Sequence, residues 1–171
     1  MSYPTLTMKP VYPLSVTLGD NVISSSKDAG YRHKRARFTR MPKIFELNYV
    51  AMSHEDLQLL LNHYNSVSGA SSFFWVNDGE AAEAPKRLSN HAYVSGDIIR
   101  PVVYDGHSYK CTTAGTSGSS SPTFVTTENQ TTSDGTVTWT ENSYTVTYAE
   151  PITWKYVEGG LIEVTVKLEE V

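Results

Sequence analysis

One cysteine in 171 residues leaves no partner for an intrachain disulfide, so Cys111 makes no demand for an oxidising compartment. No apolar run approaches the roughly 18 residues that a bilayer-spanning helix needs. The opening "MSYPTLTMKPVYPL" has three prolines and lacks the apolar core of a signal peptide. The expectation is a chain made in the cytoplasm and kept out of membranes. Catalytic punctuation is missing too: there is no Gly-x-Ser-x-Gly elbow, phosphate-cradling loop or Gly-rich dinucleotide turn. His54-Glu55 opens like a zinc-protease helix, but Gln58 stands where the second histidine belongs. His33, His54, His63, His91 and His107 assemble no second ligand cluster, and the acidic residues are scattered. Neither an enzyme nor a metal or other cofactor is expected. A net charge of -4 argues against a dedicated nucleic-acid binder.

Large apolar area is present: eleven Tyr, three Trp and five Phe, with abundant Thr and Val favouring strands. "YPTLTMKPVYPL" reads as an extended arm or an edge strand, "SVTLGDN" as a short strand, and residues 22–31 as a loop. In "IFELNYVAM", Phe45, Leu47, Tyr49 and Ala51 alternate onto one strand face. "SHEDLQLLLNHYNSVSG" is the one convincing helix. Ser53 is its cap, Asp56 stands at the capping-box spacing, and Leu57, Leu60, Leu61 and Tyr64 form its apolar face. His54 and His63 fall on similar sides of it. "SSFFWV" follows as an aromatic strand stopped by Asp78-Gly79. "YTVTYAE", "ITWKYVE" and "LIEVTVKLEEV" are successive strands, the last two joined around Gly159-Gly160. In the final one Ile162, Val164, Val166 and Leu168 face inward, and Glu163, Thr165, Lys167 and Glu169 outward.

Between these flanks, residues 89–142 read as an all-β unit of their own, with turns at Asp105-Gly106 and Asp134-Gly135. Eleven of the twelve residues 112–123 are Ser, Thr, Gly or Pro, a linker's composition, here placed as a long loop inside the unit. So small a unit must lean on its aromatics for a core: Tyr93, Tyr104, Tyr109, Phe124 and Trp139. The rival reading makes some of them exposed sugar-stacking rings, with Trp139, Phe124, Tyr109 and Tyr93 as glycan-binding candidates. Cys111 reads as a small buried hydrophobe. The strongest electrostatic feature is "YRHKRARFTRMPK", residues 31–43, which holds six of the fourteen basic residues: Arg32, Lys34, Arg35, Arg37, Arg40 and Lys43. It reads as a solvated strand or loop, with Arg35, Arg37 and His33 on one face, or as a contact with an acidic partner. DNA contact has the least support, since only Phe38 offers a stacking ring nearby.

Two resemblances attach to these stretches. "VTLGDN", "FELNYVAMSHEDLQLLLNHYNSVSGASSFFWV" and the closing "EVTVKLEEV" are similar to the minor tail protein M family of lambda-like phages, and more loosely to distal tail proteins of siphophages. This covers most of residues 1–88 and 143–171. "AYVSGDIIRP", "DGHSYKCTTAGTSGSSSPTF" and "TTSDGTVTWTE" resemble the small modules related to carbohydrate-binding module families five and twelve found inside phage tail proteins. Those relatives carry adjacent exposed tryptophans where this chain has Tyr109-Lys110-Cys111-Thr112-Thr113. The fold can be carried over; glycan binding cannot.

The implied architecture is mainly β, an antiparallel sandwich or barrel-like scaffold with one helix and an inserted small β module. The implied role is structural, in a virion's tail tip or baseplate. Subunits would form a homo-oligomeric ring joining the tail tube to the tip, beside a tip hub and tape measure, with the inserted module projecting outward. On this view Tyr3 to Leu14, with Tyr3 and Tyr12, would reach a neighbouring subunit, and the basic run would face another tail component. The alternative is an adhesin whose module binds host-surface polysaccharide.

Overall fold

The computed structural model describes residues 1–12, 14–19, 22–26, 32–36 and 40–171, with only the backbone of residues 25, 26, 32 and 33. The chain divides into two units. Residues 3–73 and 146–171 form a scaffold, and residues 1–2 and 74–145 form a second unit nested within it in sequence.

Among the described residues the fold is mainly β, with antiparallel sheets and two α-helices. The first half of the chain supplies β1 (Ser15–Leu18), β2 (Val22–Ser26), β3 (Arg32–Ala36), β4 (Lys43–Met52), α1 (His54–Ser66) and β5 (Phe73–Trp75). The nested segment adds α2 (Asp78–Glu83), β6 (Ala92–Tyr93), β7 (Ile98–Ile99), β8 (Tyr109–Thr113), β9 (Gly115–Thr116), β10 (Thr131–Asp134) and β11 (Val137–Glu141). β12 (Tyr144–Tyr148), β13 (Thr153–Tyr156) and β14 (Ile162–Glu170) complete the chain.

The scaffold sheet runs β1-β4-β14-β12-β5, with β13 paired to β14. β14 is its central strand because its alternation is the longest: Ile162, Val164, Val166 and Leu168 are all buried and the residues between them half-buried, as expected. On β4, Phe45, Leu47 and Tyr49 are buried as expected, but Met52 takes the place foreseen for Ala51. The register explains this. Tyr49 pairs with Val164 and Met52 with Ile162, so β4 carries one extra residue there, and the bulge reverses which side chains face in.

α1 is capped by Ser53, whose side chain accepts from the Asp56 amide at 3.1 Å. Leu57 and Leu60 are buried, while Leu61 and Tyr64 are half-buried. Ring contacts join the helix to the sheet: His63 meets Phe73 edge-on at 4.7 Å, and Tyr64 meets Tyr148 at 4.9 Å. His63 Nδ1 lies 2.8 Å from the Tyr148 hydroxyl, while His54 stays exposed, so the two histidines do not share a side. The chain leaves α1 through Gly69, whose φ of +63° is a left-handed conformation that glycine adopts without strain.

Two further expectations fail. Val22–Ser26 is a strand paired with β3 rather than a loop. Asp78-Gly79 does not end an element but begins α2, because the Asn77 side chain accepts from the Glu80 amide and caps it. The structure therefore has a second helix.

The nested unit holds a sheet β10-β11-β8-β7 and a small pair β6-β9. Its core is Tyr93, Ile99, Tyr109, Cys111, Phe124, Val137 and Trp139. Gly135 turns β10 into β11 at φ +65°, and a Cβ there would strike the Thr116 carbonyl oxygen.

Candidate interaction surfaces

Two surfaces were expected to carry function, the aromatics of the nested unit and the basic run of the scaffold. The first lies inside. Trp139 and Tyr109 are wholly buried, and Tyr93 and Phe124 nearly so. Tyr93 meets Trp139 edge-on at 4.8 Å and Tyr109 tilts onto Phe124 at 4.4 Å. With so few aliphatic residues, the unit spends its rings on its own core. Tyr93, Tyr109 and Trp139 therefore offer no ring face for a sugar, and Phe124, 8% exposed, offers little. Tyr104 lies outside this cluster, and its hydroxyl donates to Asp78 Oδ1 at 2.8 Å.

The linker-like run is fixed by an ion pair that composition alone did not disclose. Arg87 and Asp134 are both buried, with Arg87 Nε donating to Asp134 Oδ2 at 2.7 Å and Nη2 to Oδ1 at 2.7 Å. The same Nη2 reaches the carbonyls of Gly118 at 2.6 Å and Ser120 at 2.9 Å. Asp134 in turn accepts from the Gly118 amide at 2.9 Å and the Trp139 indole at 3.1 Å. Burial disfavours the Asp134 carboxylate, but bonds from Arg87, Gly118 and Trp139 outweigh it and hold its pKa below the usual carboxylate value. Ser117, also buried, ties the run to the Leu88 carbonyl at 2.7 Å. Arg87 precedes the 89–142 boundary foreseen from composition, which is one reason the compact unit reaches beyond that segment.

Beside this lock lies a groove of about 550 Å³ lined by Pro101, Val102, Val103, Pro122 and Phe124, with Arg87 and Asp105 also at its walls. A second pairing secures the far end of β11: His107 Nδ1 lies 2.9 Å from the buried Glu141. That hydrogen bond raises the His107 pKa above its ordinary value, against the effect of burial.

The basic run divides. Lys34 and Arg35 are exposed on β3. Arg40 is committed within the chain, pairing with the Glu170 carboxylate and donating to the Val171 carbonyl at 3.2 Å. Lys43 is half-buried, and its amide donates to Glu170 Oε2 at 3.4 Å. The Arg32 and His33 side chains and all of Arg37 lie outside the described residues, so the shared face expected of Arg35, Arg37 and His33 does too.

The N-terminal arm makes contacts within its own chain. The Tyr3 and Tyr49 hydroxyls are 3.2 Å apart, and burial above all pushes the Tyr3 pKa up. The Thr7 and Met8 amides donate to the buried Asp56 carboxylate at 3.1 and 3.3 Å, and the Val11 amide donates to the Asn48 carbonyl at 2.7 Å. Tyr12 is 45% exposed. Asp56, foreseen as half of a capping box, thus anchors the arm as well as opening the helix.

The exposed aromatics lie elsewhere. Among the described residues they are Tyr12, Trp154 (45%) and Tyr156 (69%), the last two on β13. Trp154 pairs with Val164 and Tyr156 with Ile162, both buried core residues. Cross-strand partners share a face, so both rings extend the core side of the sheet into solvent. The opposite edge repeats the pattern. On β1, Val16 pairs with buried Phe45, and Val16 (47%) and Leu18 (64%) stand on that same face uncovered. Among the described strands β1 pairs only with β4, and β13 only with β14. In "ITWKYVE" the strand was legible; the edge position was not, because it depends on which strand lies beyond.

No family model, no curated protein and no solved structure matches this chain.

Proposed function

We propose that this chain is a structural subunit of the tail tip or baseplate of a long-tailed phage-like particle, forming part of a ring between tail tube and tip. The observation that carries the reading is the exposure of core-face side chains on two open strands at opposite sides of one sheet: Val16 and Leu18 on β1, Trp154 and Tyr156 on β13. An open strand edge with exposed apolar residues is a template for another chain unless something covers it. Two different open edges on one subunit suit a head-to-tail contact, which generates rings when the rotation closes. In this reading the chain is not catalytic, its place is the virion, and its partners are further copies and the neighbouring tube, hub and tape-measure proteins. Lys34 and Arg35 suit one of those neighbours, provided its surface is acidic. Polysaccharide binding by the nested unit lacks comparable support, since its candidate rings are core.

The test is cryo-electron microscopy of the purified particle with the chain identified in the map. Density for a ring of copies at the end of the tail is the expected result. Finding the protein free in lysate and absent from particles would sink the reading.

A further inference from the structure

We infer that copies of this chain join by pairing β13 of one with β1 of the next, so that the scaffold sheet and its apolar face run on from subunit to subunit. The inference rests on the ring reading and names its contact.

Strand direction supports it. β1 is antiparallel to β4, β4 to β14, and β14 to β13. β13 therefore runs opposite to β1, and a second copy in the same orientation presents its β1 antiparallel to the first copy's β13. Both strands span four residues. Face supports it as well, because Trp154, Tyr156, Val16 and Leu18 all stand on the core side. Setting Trp154 opposite Leu18 and Tyr156 opposite Val16 lets the two aromatics cover the two aliphatics. It also places Lys155 opposite Thr17 on the outer face. Paired edges satisfy backbone groups that water otherwise serves, and aromatic residues at such a junction are the usual energetic anchors.

The two edges are not level. Val16 stands, through Phe45, beside Leu168, whereas Tyr156 stands beside Ile162, six residues away along β14. At ~3.4 Å per residue the step is about 20 Å, across four strands each ~4.8 Å apart. Strands joined with that step must cross the ring axis at an angle of about 45°, close to the tilt of closed β-barrels. The offset is therefore compatible with closure.

The experiment mixes purified Thr17→Cys protein with purified Lys155→Cys protein and adds diamide, which takes up two hydrogens as two thiols become a disulfide. The native Cys111 is fully buried and stays out of reach. Sedimentation of the same samples reports assembly independently. The expected result is a disulfide-linked dimer from the mixture and none from either variant alone. A Trp154→Glu variant should lose association by at least ~10-fold, with Leu59→Glu, an exposed position on α1, as the unaffected control. Assembly without the mixed cross-link, or with cross-links in a single variant, overturns the β13–β1 contact and leaves the ring reading standing. No assembly at any concentration overturns both.

Discussion

Arg87 shows how much one residue can decide. Its guanidinium and the Asp134 carboxylate are both shut away from water, and together they bind the Gly118 and Ser120 carbonyls, the Gly118 amide and the Trp139 indole. Removing one partner of such a pair strands the other's charge, at a cost of about 3–5 kcal/mol. In a Trp154→Phe background, where the remaining indoles Trp75 and Trp139 both belong to the nested unit, Arg87→Met should therefore unfold that unit at markedly lower denaturant by tryptophan fluorescence; a change under ~1 kcal/mol would show that the pair is not structural. The acid response has a definite sign. Asp134 has a depressed folded pKa, so its stabilisation is present above the ordinary carboxylate value of 3.8 and fades as pH falls through the lower, folded value. The Arg87→Met variant should lack most of that acid-labile contribution. None of this was legible in composition, because Ser, Thr, Gly and Pro dominate a linker and a pinned loop alike. What separates the two is an arginine and an aspartate 47 residues apart.

At the scale of elements, legibility followed alternation. β14 could be read residue by residue because nothing interrupts it, whereas one bulge in β4 moved the buried position from Ala51 to Met52. β2 was missed because "VISSS" has only two strand-favouring side chains and takes its order from pairing with β3. α2 was missed because Asp-Gly is a turn signal unless a cap such as Asn77 precedes it. The arm was recognised as extended, but a sequence does not show that Asp56 will capture the Thr7 and Met8 amides. Asp56→Ala tests that capture. Loss of two hydrogen bonds to a charged acceptor, each worth roughly 1.5–3 kcal/mol, should free the arm. Limited proteolysis should then cut within residues 5–12 well before the scaffold unfolds, while the parent chain resists. Equal cleavage of both would show that Asp56 does not hold the arm.

For the whole molecule, the sequence points to a module at 89–142 inside a discontinuous scaffold, whereas the compact units are residues 3–73 with 146–171 and residues 1–2 with 74–145. Limits of that kind depend on contacts such as that of Arg87, which precedes the expected boundary. The nested unit has its own seven-residue core, and near its two ends the rings of Trp75 and Tyr144 lie 6.2 Å apart. Replacing residues 76–143 by a short Gly-Ser connector should leave the scaffold folded, and residues 74–145 alone should fold cooperatively. Amide spectra that overlay on those of the full chain would be the confirming result, and a collapsed spectrum for either piece would refute the partition. The closeness of those ends has a longer reach. A segment whose entry and exit adjoin can be lost, duplicated or exchanged by recombination without disturbing the register around it. Such a chain can then record two separate ancestries, one for the host framework and one for its guest.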